Sequence, residues 1–295
     1  MKTYEFVTLD VFTDTRFGGN QLAVFTDARG LSDAQMQSLA VEMNLSETTF
    51  VLPPASPANT ARVRIFNRVA EMPFAGHPNV GTGFVLAERA RDGMLIFEEI
   101  AGLVEVAIQH DDAGTLTGAK IGAPQPLSLG PKMPADLLAG CVGLTEADVV
   151  TSAHWPMMAS VGNSFVIAEV TDEALSRARP ELGAFAMAQA EFPHLGPKRL
   201  PLYLYAHAGT GKLRARMFSP LSGTVEDSAT GSAATPLAAM LLALSSEERL
   251  SFDITQGVEM GRPSLLHAAA YRGHDGIRAT VAGSCVPMFE GRVTL

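Results

Sequence analysis

At 295 residues, the chain is long enough for two lobes of about 100–150 residues each or for one large fold, and its 47% hydrophobic and 18% charged residues are typical of a globular protein. Its net charge of −9, without any cluster of Lys and Arg, argues against nucleic acid as a partner, because binding a phosphate backbone needs a concentrated positive face. No segment approaches the roughly 18 consecutive apolar residues of a membrane span, and the first residues lack the layout of a signal peptide, so we expect a cytoplasmic protein that binds no membrane.

Many short segments of alternating or continuous apolar residues predict strands with a buried face. In chain order these segments are Glu5–Phe12, Leu22–Phe25, Thr48–Leu52, Ala61–Phe66, Met94–Glu98, Leu103–Gln109, Asn163–Val170, Leu202–Tyr205, Lys212–Phe218, Leu250–Ile254, Arg262–Tyr271 and Gly276–Val281. Gly114, Gly118 and residues 121–126 are typical of turns and a crossing segment. The sequence therefore predicts an α+β protein rich in antiparallel strands.

Helical signals are fewer, and three stand out. Ser32 and Gln35 have the spacing of a capping box, and apolar residues recur on one face of the segment after them, which predicts an amphipathic helix. Val80–Ala87 and Pro236–Leu244 are apolar nearly all round, so each is predicted to be a helix enclosed by its own lobe.

The two halves of the chain resemble each other around these buried helices. Arg64–Asn67 and Arg216–Ser219 match at an offset of 152 residues, and the same offset places the turn Gly76–Thr82 on Ser228–Ala234. A strand, a link, a glycine-rich turn and a buried helix, repeated at one spacing, predict an internal duplication with a boundary near residues 122–134.

The glycine-rich turns before the two buried helices are candidate binding sites. Backbone N–H groups at the start of a helix have no partner within the helix, and together with the helix dipole they bind a carboxylate or a similar anion. Gly76 in the first turn, and Gly231 with Ser232 in the second, are therefore predicted to bind substrate. Neither turn has the spacing of a nucleotide-binding loop, so we expect no ATP and no NAD.

Three side chains near the turns are candidates for chemistry. His77 lies inside the first turn and has no evident packing role. Asp227 lies just before the second turn, where a helix cap is the alternative. Glu47 lies where a helix ends and an apolar strand begins, and composition alone would make it a surface glutamate.

Five motifs follow one another along nearly the whole chain. They are Asp10–Phe12 with Phe17–Val24, Asn44–Thr48, Phe74–Thr82, Glu226–Ala233 and Gln256–Ser264. In this order they resemble the phenazine-biosynthesis PhzF-like family, whose members are related to diaminopimelate epimerase. The resemblance is specific because it depends on five ordered motifs rather than on one.

The resemblance implies the diaminopimelate epimerase-like fold: two pseudo-symmetric lobes, each a bent antiparallel sheet around a central buried helix, with the active site in the cleft between them. Residues 1–125, completed by the C-terminal strand near 282–295, would form the first lobe, and residues 126–281 the second. It also implies a homodimer, because the family is commonly dimeric and exposed strand edges can pair between chains.

The resemblance also implies roles for individual residues. The motif that carries the family's catalytic glutamate places it at Glu47, and the other family site residues fall on His77, Asp227 and Ser232. We expect Asn20, in the first motif, to bind substrate. Where the family often has Pro, Thr and Pro, this chain has Arg68, Asn79 and Ser228.

Cysteine usage bears on the reaction. Related epimerases and racemases use a cysteine from each lobe as paired bases, whereas the two turns here contain none. Cys141 and Cys285 lie elsewhere, without disulfide or zinc-ligand spacing, so we expect reduced thiols, no metal site and no thiol-based racemisation. A glutamate that is partly removed from water is instead suited to accept a proton at one carbon and return it at another.

The sequence therefore predicts a cofactor-independent isomerase that moves a proton within a small carboxylated substrate, with Glu47 as the base and with Asp227 and His77 assisting. In the family's best-known branch the substrate is a dihydro-hydroxyanthranilate, and nothing in the sequence identifies that branch. Three alternatives stay open: a glutamate-based lyase, hydrolase or epimerase on the same scaffold, a cysteine-dependent racemase, or a binding protein without catalysis.

Overall fold

The computed structural model describes residues 1–295 and divides into two compact units. The first unit comprises residues 1–124 and 280–295, and the second comprises residues 125–279. The first contains β1 (Thr3–Val11), β2 (Asn20–Phe25), α1 (Asp33–Met43), β3 (Glu47–Leu52), β4 (Ala61–Phe66), β5 (Glu71–Met72), α2 (Gly76–Val85), β6 (Met94–Glu99), β7 (Gly102–His110) and β8 (Leu116–Gly122).

The second unit has more helices. It contains β9 (Ser128–Lys132), α3 (Ala135–Cys141), β10 (Val149–Val150), β11 (Met157–Ser160), β12 (Ser164–Val170), α4 (Asp172–Arg177), α5 (Leu182–Glu191), β13 (Leu202–Gly209), β14 (Lys212–Ser219), β15 (Thr224–Asp227), α6 (Gly231–Ala243), β16 (Arg249–Gln256) and β17 (Ser264–Gly273). The last strand, β18 (Gly276–Thr294), begins in the second unit and ends in the first. The many strands and few helices confirm the predicted α+β class.

The strands of the two units pair in the same order. In the first, β1 is antiparallel to β2, β2 is parallel to β3, β3 is antiparallel to β4, and β4 is parallel to β6, which is antiparallel to β7. In the second, β11, β12, β13, β14, β16 and β17 repeat this sequence of pairings. The repeated order supports the duplication predicted from the sequence.

The sheet of the first unit is closed by the end of the chain. β7 pairs with β8, β8 pairs with the first part of β18, and the remainder of β18 pairs with β1. Eight of the ten residues of α2 are buried. The predicted enclosed helix is thus α2, and β18 completes the sheet that surrounds it.

Helix α1 forms as its capping box predicts. Ser32 Oγ accepts from the Gln35 N–H, and the Gln35 side chain accepts from the Ser32 N–H. Asn44 ends the helix in the left-handed conformation, with φ of 52°. Because the chain reverses there, Glu47 is placed at the first position of β3.

The starts of the two buried helices differ from the prediction. α2 begins at Gly76 and α6 at Gly231, several residues before the predicted Val80 and Pro236. Gly81 is therefore not part of a turn: a Cβ there would lie 2.6 Å from Leu22 Cδ2, so this glycine lets α2 approach the sheet. The helix starts are 155 residues apart rather than 152, so the predicted alignment of Gly76 with Ser228 is wrong by three residues.

The predicted turn around Gly118 and residues 121–126 is also wrong in part. Gly118 lies inside β8, where a Cβ would clash with the carbonyl oxygen of Gly283 in β18. The glycine is needed for close strand pairing, which alternation of polarity does not reveal.

Sequence patterns did not predict α3, α4 or α5. These helices cover one face of the second unit's sheet, and Leu138, Leu175 and Phe185 contribute to the buried apolar cluster between the helices and the sheet. None of the helices in the structure is long and apolar enough to cross a membrane.

Candidate active site

The side chains of Glu47, His77 and Asn20 come together in the first unit. Asn20 and Glu47 begin the adjacent parallel strands β2 and β3, and His77 is the second residue of α2. His77 Nδ1 lies 3.4 Å from Glu47 Oε2 and 3.3 Å from Asn20 Nδ2. The side chain of His77 is 4% exposed and that of Glu47 is 17% exposed. Two strand starts and one helix start therefore place a carboxyl, an imidazole and an amide in contact.

The imidazole of His77 is neutral. Burial lowers the pKa of His77 to about 3, and hydrogen bonding with the backbone of Gln21 acts in the opposite direction to a lesser degree. A neutral imidazole has one N–H and one lone pair, and the buried Nε2 has no hydrogen-bond partner. The contact between His77 and Glu47 is thus not an ion pair, and Nε2 can accept from or donate to a polar atom of a ligand.

The first turn of α2 carries further polar groups without partners. Its N-cap residue, Ala75, has no side-chain atom that could accept from the first N–H groups. Asn79 Nδ2 donates to the Ala75 carbonyl oxygen at 3.0 Å, but Asn79 Oδ1 is buried and unpaired. Gly76 is the first residue of the helix, so its backbone and the helix dipole make this end suited to an anion.

The residues Asp227, Gly231 and Ser232 come together in the second unit, where α6 begins. Asp227 ends β15, and Gly231 and Ser232 are the first two residues of α6. Ser232 therefore holds the helix position that His77 holds in α2. Thr230 Oγ1 donates a hydrogen bond to Asp227 Oδ2 at 2.7 Å, and Asp227, Thr230 and Ser232 are all buried.

Gln256, at the end of β16, pairs the polar groups of this second turn. Its Nε2 donates to the Asp227 carbonyl oxygen at 2.8 Å and to Thr230 Oγ1 at 2.9 Å. Its Oε1 accepts from the Thr230 N–H at 3.1 Å and from the Tyr203 hydroxyl at 3.2 Å. Because the Thr230 oxygen accepts from Gln256, its own hydrogen is directed to Asp227. Burial and the neighbouring charge of Asp227 raise the pKa of Tyr203, which stays a hydroxyl donor.

An arginine–glutamate pair lies next to the turn in each unit. Arg216 donates from Nε and Nη2 to Glu226 at 2.8 and 2.9 Å, and Arg64 donates from the same atoms to Glu71 at 2.7 and 2.6 Å. In both units the guanidinium also stacks on the phenylalanine two residues later. These bidentate pairs hold the strand that precedes each buried helix, and they repeat the duplication at the level of side chains.

Neither cysteine lies in the first turn of a buried helix. Cys141 is in α3 and Cys285 is in β18, and both are buried and free. Burial raises the pKa of Cys141 to about 12 and also raises that of Cys285. Thiols that stay protonated are poor bases, which supports the expectation that the reaction does not use them.

The site residues predicted from the sequence form two groups in the structure, one in each unit. The structure brings Glu47, His77 and Asn20 into contact, with Gly76 beside His77, and it groups Asp227, Gly231 and Ser232 at the start of α6. Sequence reasoning missed Thr230 and Gln256. Gln256 is 29 residues from Asp227 along the chain, and only the pairing of β14 with β16 brings the two together. Its membership of the fifth motif was the one available signal.

The chain is similar to known proteins over its full length. The phenazine biosynthesis-like protein family matches residues 9–291. The chain is 37% identical over 300 residues to trans-2,3-dihydro-3-hydroxyanthranilate isomerase of Pseudomonas aeruginosa, and the alignment covers 99% of this chain and 100% of that protein.

Solved structures give the same result. A PhzF-family phenazine biosynthesis protein of Bacillus anthracis superposes with a TM-score of 0.86 at 25% identity and covers 100% of both chains. A protein of P. aeruginosa described as a predicted epimerase superposes with a TM-score of 0.81 at 30% identity and covers 99% of both chains. The fold, with its two similar halves, is therefore the one that the resemblance implied.

Proposed function

Because the chain belongs to the family of phenazine biosynthesis-like proteins, we propose that it is a cofactor-independent isomerase in which Glu47 moves a proton within a small carboxylated substrate. Two relatives that match over their full length, at 37% and 35% identity, are named trans-2,3-dihydro-3-hydroxyanthranilate isomerase. This similarity makes the chain an isomerase of the PhzF type. The proton transfer and the residues that perform it are our addition.

The contact between Glu47 and His77 is the observation that carries this proposal. The Glu47 carboxyl is only 17% exposed and lies against the neutral imidazole of His77, which supports a role as a base toward a C–H group of the substrate in a site largely removed from water. The same proton then returns to another carbon, and substrate and product have the same atoms. His77 Nε2, which has no partner in the protein, is placed to hydrogen-bond a polar group of the substrate.

The remaining predicted residues have supporting roles in this proposal. Gly76 and Gly231, at the starts of α2 and α6, together with Ser232, bind the carboxylate and stabilise charge that develops on the substrate. Asn20 binds a polar group next to Glu47, and Asp227 assists the proton transfer.

The first substrate to test is trans-2,3-dihydro-3-hydroxyanthranilate, since it is named in the relatives at 37% and 35% identity. It is a small carboxylated compound, as the proposal requires. The experiment incubates it with the enzyme in deuterated water and follows rearrangement and deuterium uptake by NMR and mass spectrometry. If it is not converted, a panel of small carboxylated metabolites is screened in the same way.

Glu47→Gln is the decisive control, because glutamine keeps the shape of the side chain and cannot accept the proton. We expect it to lower kcat by about 10²–10⁴-fold for whichever substrate is converted. A variant that converts that substrate as fast as the wild type contradicts the mechanism. Elimination, hydrolysis or inversion in place of rearrangement would favour one of the other reactions on this scaffold.

The homodimer implied by the resemblance is also a proposal. Phe289, near the end of β18, is 66% exposed, and a large apolar side chain on a strand is suited to contact between copies. Light scattering of the wild type and of Phe289→Ser tests this: we expect a dimer mass for the wild type, and a monomer mass for the wild type overturns the proposal.

A further inference from the structure

The strand register assigns Gln256 a counterpart in the first unit. Arg62 of β4 and Arg214 of β14 are 152 residues apart, as the repeated motif requires. Arg62 lies opposite the residue before Glu99 in β6, and Arg214 lies opposite the residue before Gln256 in β16. Each strand then ends at its next residue. Glu99 therefore occupies in the first unit the place that Gln256 occupies in the second.

These two equivalent residues have opposite surroundings. Gln256 makes four hydrogen bonds at the second turn, whereas both carboxyl oxygens of Glu99 are buried without a partner. A buried carboxylate without a hydrogen bond is costly, because a charge loses its hydration and gains nothing in exchange. A protonated carboxyl has no charge and has one O–H to donate, so it resembles the amide of Gln256 more closely.

Asn79 is the polar group that faces Glu99 from α2. One N–H of its Nδ2 donates to the Ala75 carbonyl oxygen, and its Oδ1, which can accept a hydrogen bond, is buried and has no donor. Its amide is within hydrogen-bonding reach of Glu99 and lowers the pKa of that carboxyl, although burial raises it by more. The backbone ties the same region together, because the Ala101 N–H donates to the Pro73 carbonyl oxygen at 3.0 Å, just before the turn.

We propose that Glu99 is a positioning residue: it is held as a neutral carboxylic acid, donates to Asn79, and so fixes the first turn of α2 that carries His77. One proton removes the charge from the buried carboxyl of Glu99 and gives Asn79 Oδ1 the donor that it lacks. In the second unit an amide does the same work for the turn that carries Asp227. The link to His77 depends on the proposed function, whereas the protonation of Glu99 does not.

Charges on the neighbouring elements do not provide an alternative. Glu98, on the same strand, accepts from the backbone N–H groups of Ala55 and Ser56 and from Asn59. Arg64 of β4 is bound to Glu71 of β5 and to Asp33. The residue opposite Glu99 on β7 is Gly102. Arg62 of β4 lines the same cleft, but neither it nor any other cation contributes to the titration of Glu99.

The energetics agree with this geometry. Burial raises the pKa of Glu99 to about 8, and the Asn79 amide offsets this only in part. Because this pKa lies above the ordinary value of 4.5, the stability that protonated Glu99 contributes is complete below about pH 4.5 and is lost as the pH rises to about 8.

The test compares the wild type with Glu99→Gln, in which an amide replaces the acid, and with Glu98→Gln as the matched neighbouring control. Infrared difference spectra of the intact protein are expected to show the carbonyl stretch of a protonated carboxylic acid at pH 7 in the wild type and in Glu98→Gln, but not in Glu99→Gln. We expect the band to disappear above about pH 9. No band at pH 7 overturns the proposal.

Thermal unfolding gives a second readout that needs no substrate. The quantity to compare is the melting temperature of Glu99→Gln minus that of the wild type. We expect this difference to be about 5 °C larger at pH 9 than at pH 5, because only the wild type loses the proton. Glu98→Gln is expected to show no such gain. If the melting temperatures of Glu99→Gln and the wild type change equally between pH 5 and pH 9, the proposal is contradicted.

Turnover tests the positioning role separately. Glu99→Leu is expected to lower kcat/KM by about tenfold while costing no more than about 1 kcal/mol of stability, and Glu99→Gln to restore kcat/KM. An equal loss in both variants contradicts the positioning role. If no substrate is converted by any form while the infrared band and the melting temperatures behave as expected, the proposed function fails and the neutral Glu99 stands.

Discussion

The first turns of α2 and α6 lie at equivalent places in the two units and differ in how their polar groups are satisfied. At α6, Asp227, Thr230 and Gln256 bind one another and Tyr203, so the turn is paired within its own unit. At α2, buried atoms of His77, Asn79 and Glu99 have no partner. Such groups cost stability unless a ligand or a proton satisfies them, so the two equivalent turns differ in how much of their hydrogen bonding the protein itself supplies.

The largest expected effect is a difference in the free energy of unfolding between variants at the two equivalent strand ends, Gln256 and Glu99. Gln256→Leu leaves the Asp227 carbonyl, the Thr230 N–H and the Tyr203 hydroxyl buried and unpaired, and we expect it to lower the free energy of unfolding by on the order of 4 kcal/mol. Glu99→Leu removes only the single hydrogen bond proposed to Asn79, so we expect a loss of no more than about 1 kcal/mol. Urea denaturation at pH 7 measures both values.

Equal losses in these two variants would mean that the turns do not differ as described. If Gln256→Leu does not fold at all, Tyr203→Phe removes a single donor from the same network. We expect Tyr203→Phe to cost about 1 kcal/mol in the same denaturation experiment.

The second effect concerns the matching helix positions His77 and Ser232. We expect His77→Asn to lower kcat by about 100-fold, because the unpaired Nε2 is proposed to contact the substrate during proton transfer. Ser232→Ala removes a hydroxyl but leaves the backbone N–H groups of the turn in place, so we expect it to raise KM several-fold and to lower kcat by no more than about threefold. Steady-state kinetics on the identified substrate measure both variants. If kcat falls mainly in Ser232→Ala and KM rises mainly in His77→Asn, the second turn rather than the first acts in the proton transfer.

The third effect is a sensitivity to acid that only the first turn should show. His77 has a pKa of about 3 in the folded protein against an ordinary value of 6.5, so its neutral form stabilises the fold above about pH 6.5, and this stability is lost as the pH falls toward 3. Between pH 7 and pH 5 we expect the wild type to lose up to about 2 kcal/mol more than His77→Asn. Denaturation at the two pH values measures the difference, and identical losses would show that folding does not lower the pKa of His77.

The smallest effect tests whether the pairing of the second turn serves catalysis. Thr230→Val removes the hydrogen bond to Asp227 with little change of shape, and we expect kcat to fall by about tenfold. Thr230→Ser restores the hydroxyl and is expected to restore most of kcat. A serine variant as slow as the valine variant would show that Thr230 acts through packing rather than through its hydrogen bond.

Much of the fold could be predicted from local patterns. The capping box at Ser32 gives α1, and the alternation at Arg64 to Phe66 gives β4, because both signals lie within a few neighbouring residues. The starts of α2 and α6 were misplaced because glycine usually indicates a turn. Here Gly81 and Gly83 face the sheet, where a Cβ would meet the side chains of Leu22 and Val106.

The site was predictable only as far as motifs reach. The role of Glu47 was predicted from the resemblance and that of His77 already from its position in the first turn, and their contact follows from the placement of β3 next to α2. The roles of Gln256 and Glu99 could not be predicted, because each depends on a parallel pairing between strands that are distant along the chain. Whether a buried carboxyl has partners is a property of the folded neighbourhood, and no spacing of residues encodes it.

The closing strand β18 determines when the sheet of the first unit can form during synthesis. Thr294 of β18 lies opposite Thr3 of β1, and Thr280 of β18 lies opposite Gly122 at the end of β8. On the ribosome, β1 and β8 emerge well before β18, so both remain open strand edges until residues 280–294 have been made. The unit begun first is therefore completed only after the second unit has been made, and a nascent chain that stalls before residue 280 has two edges available for pairing with other chains.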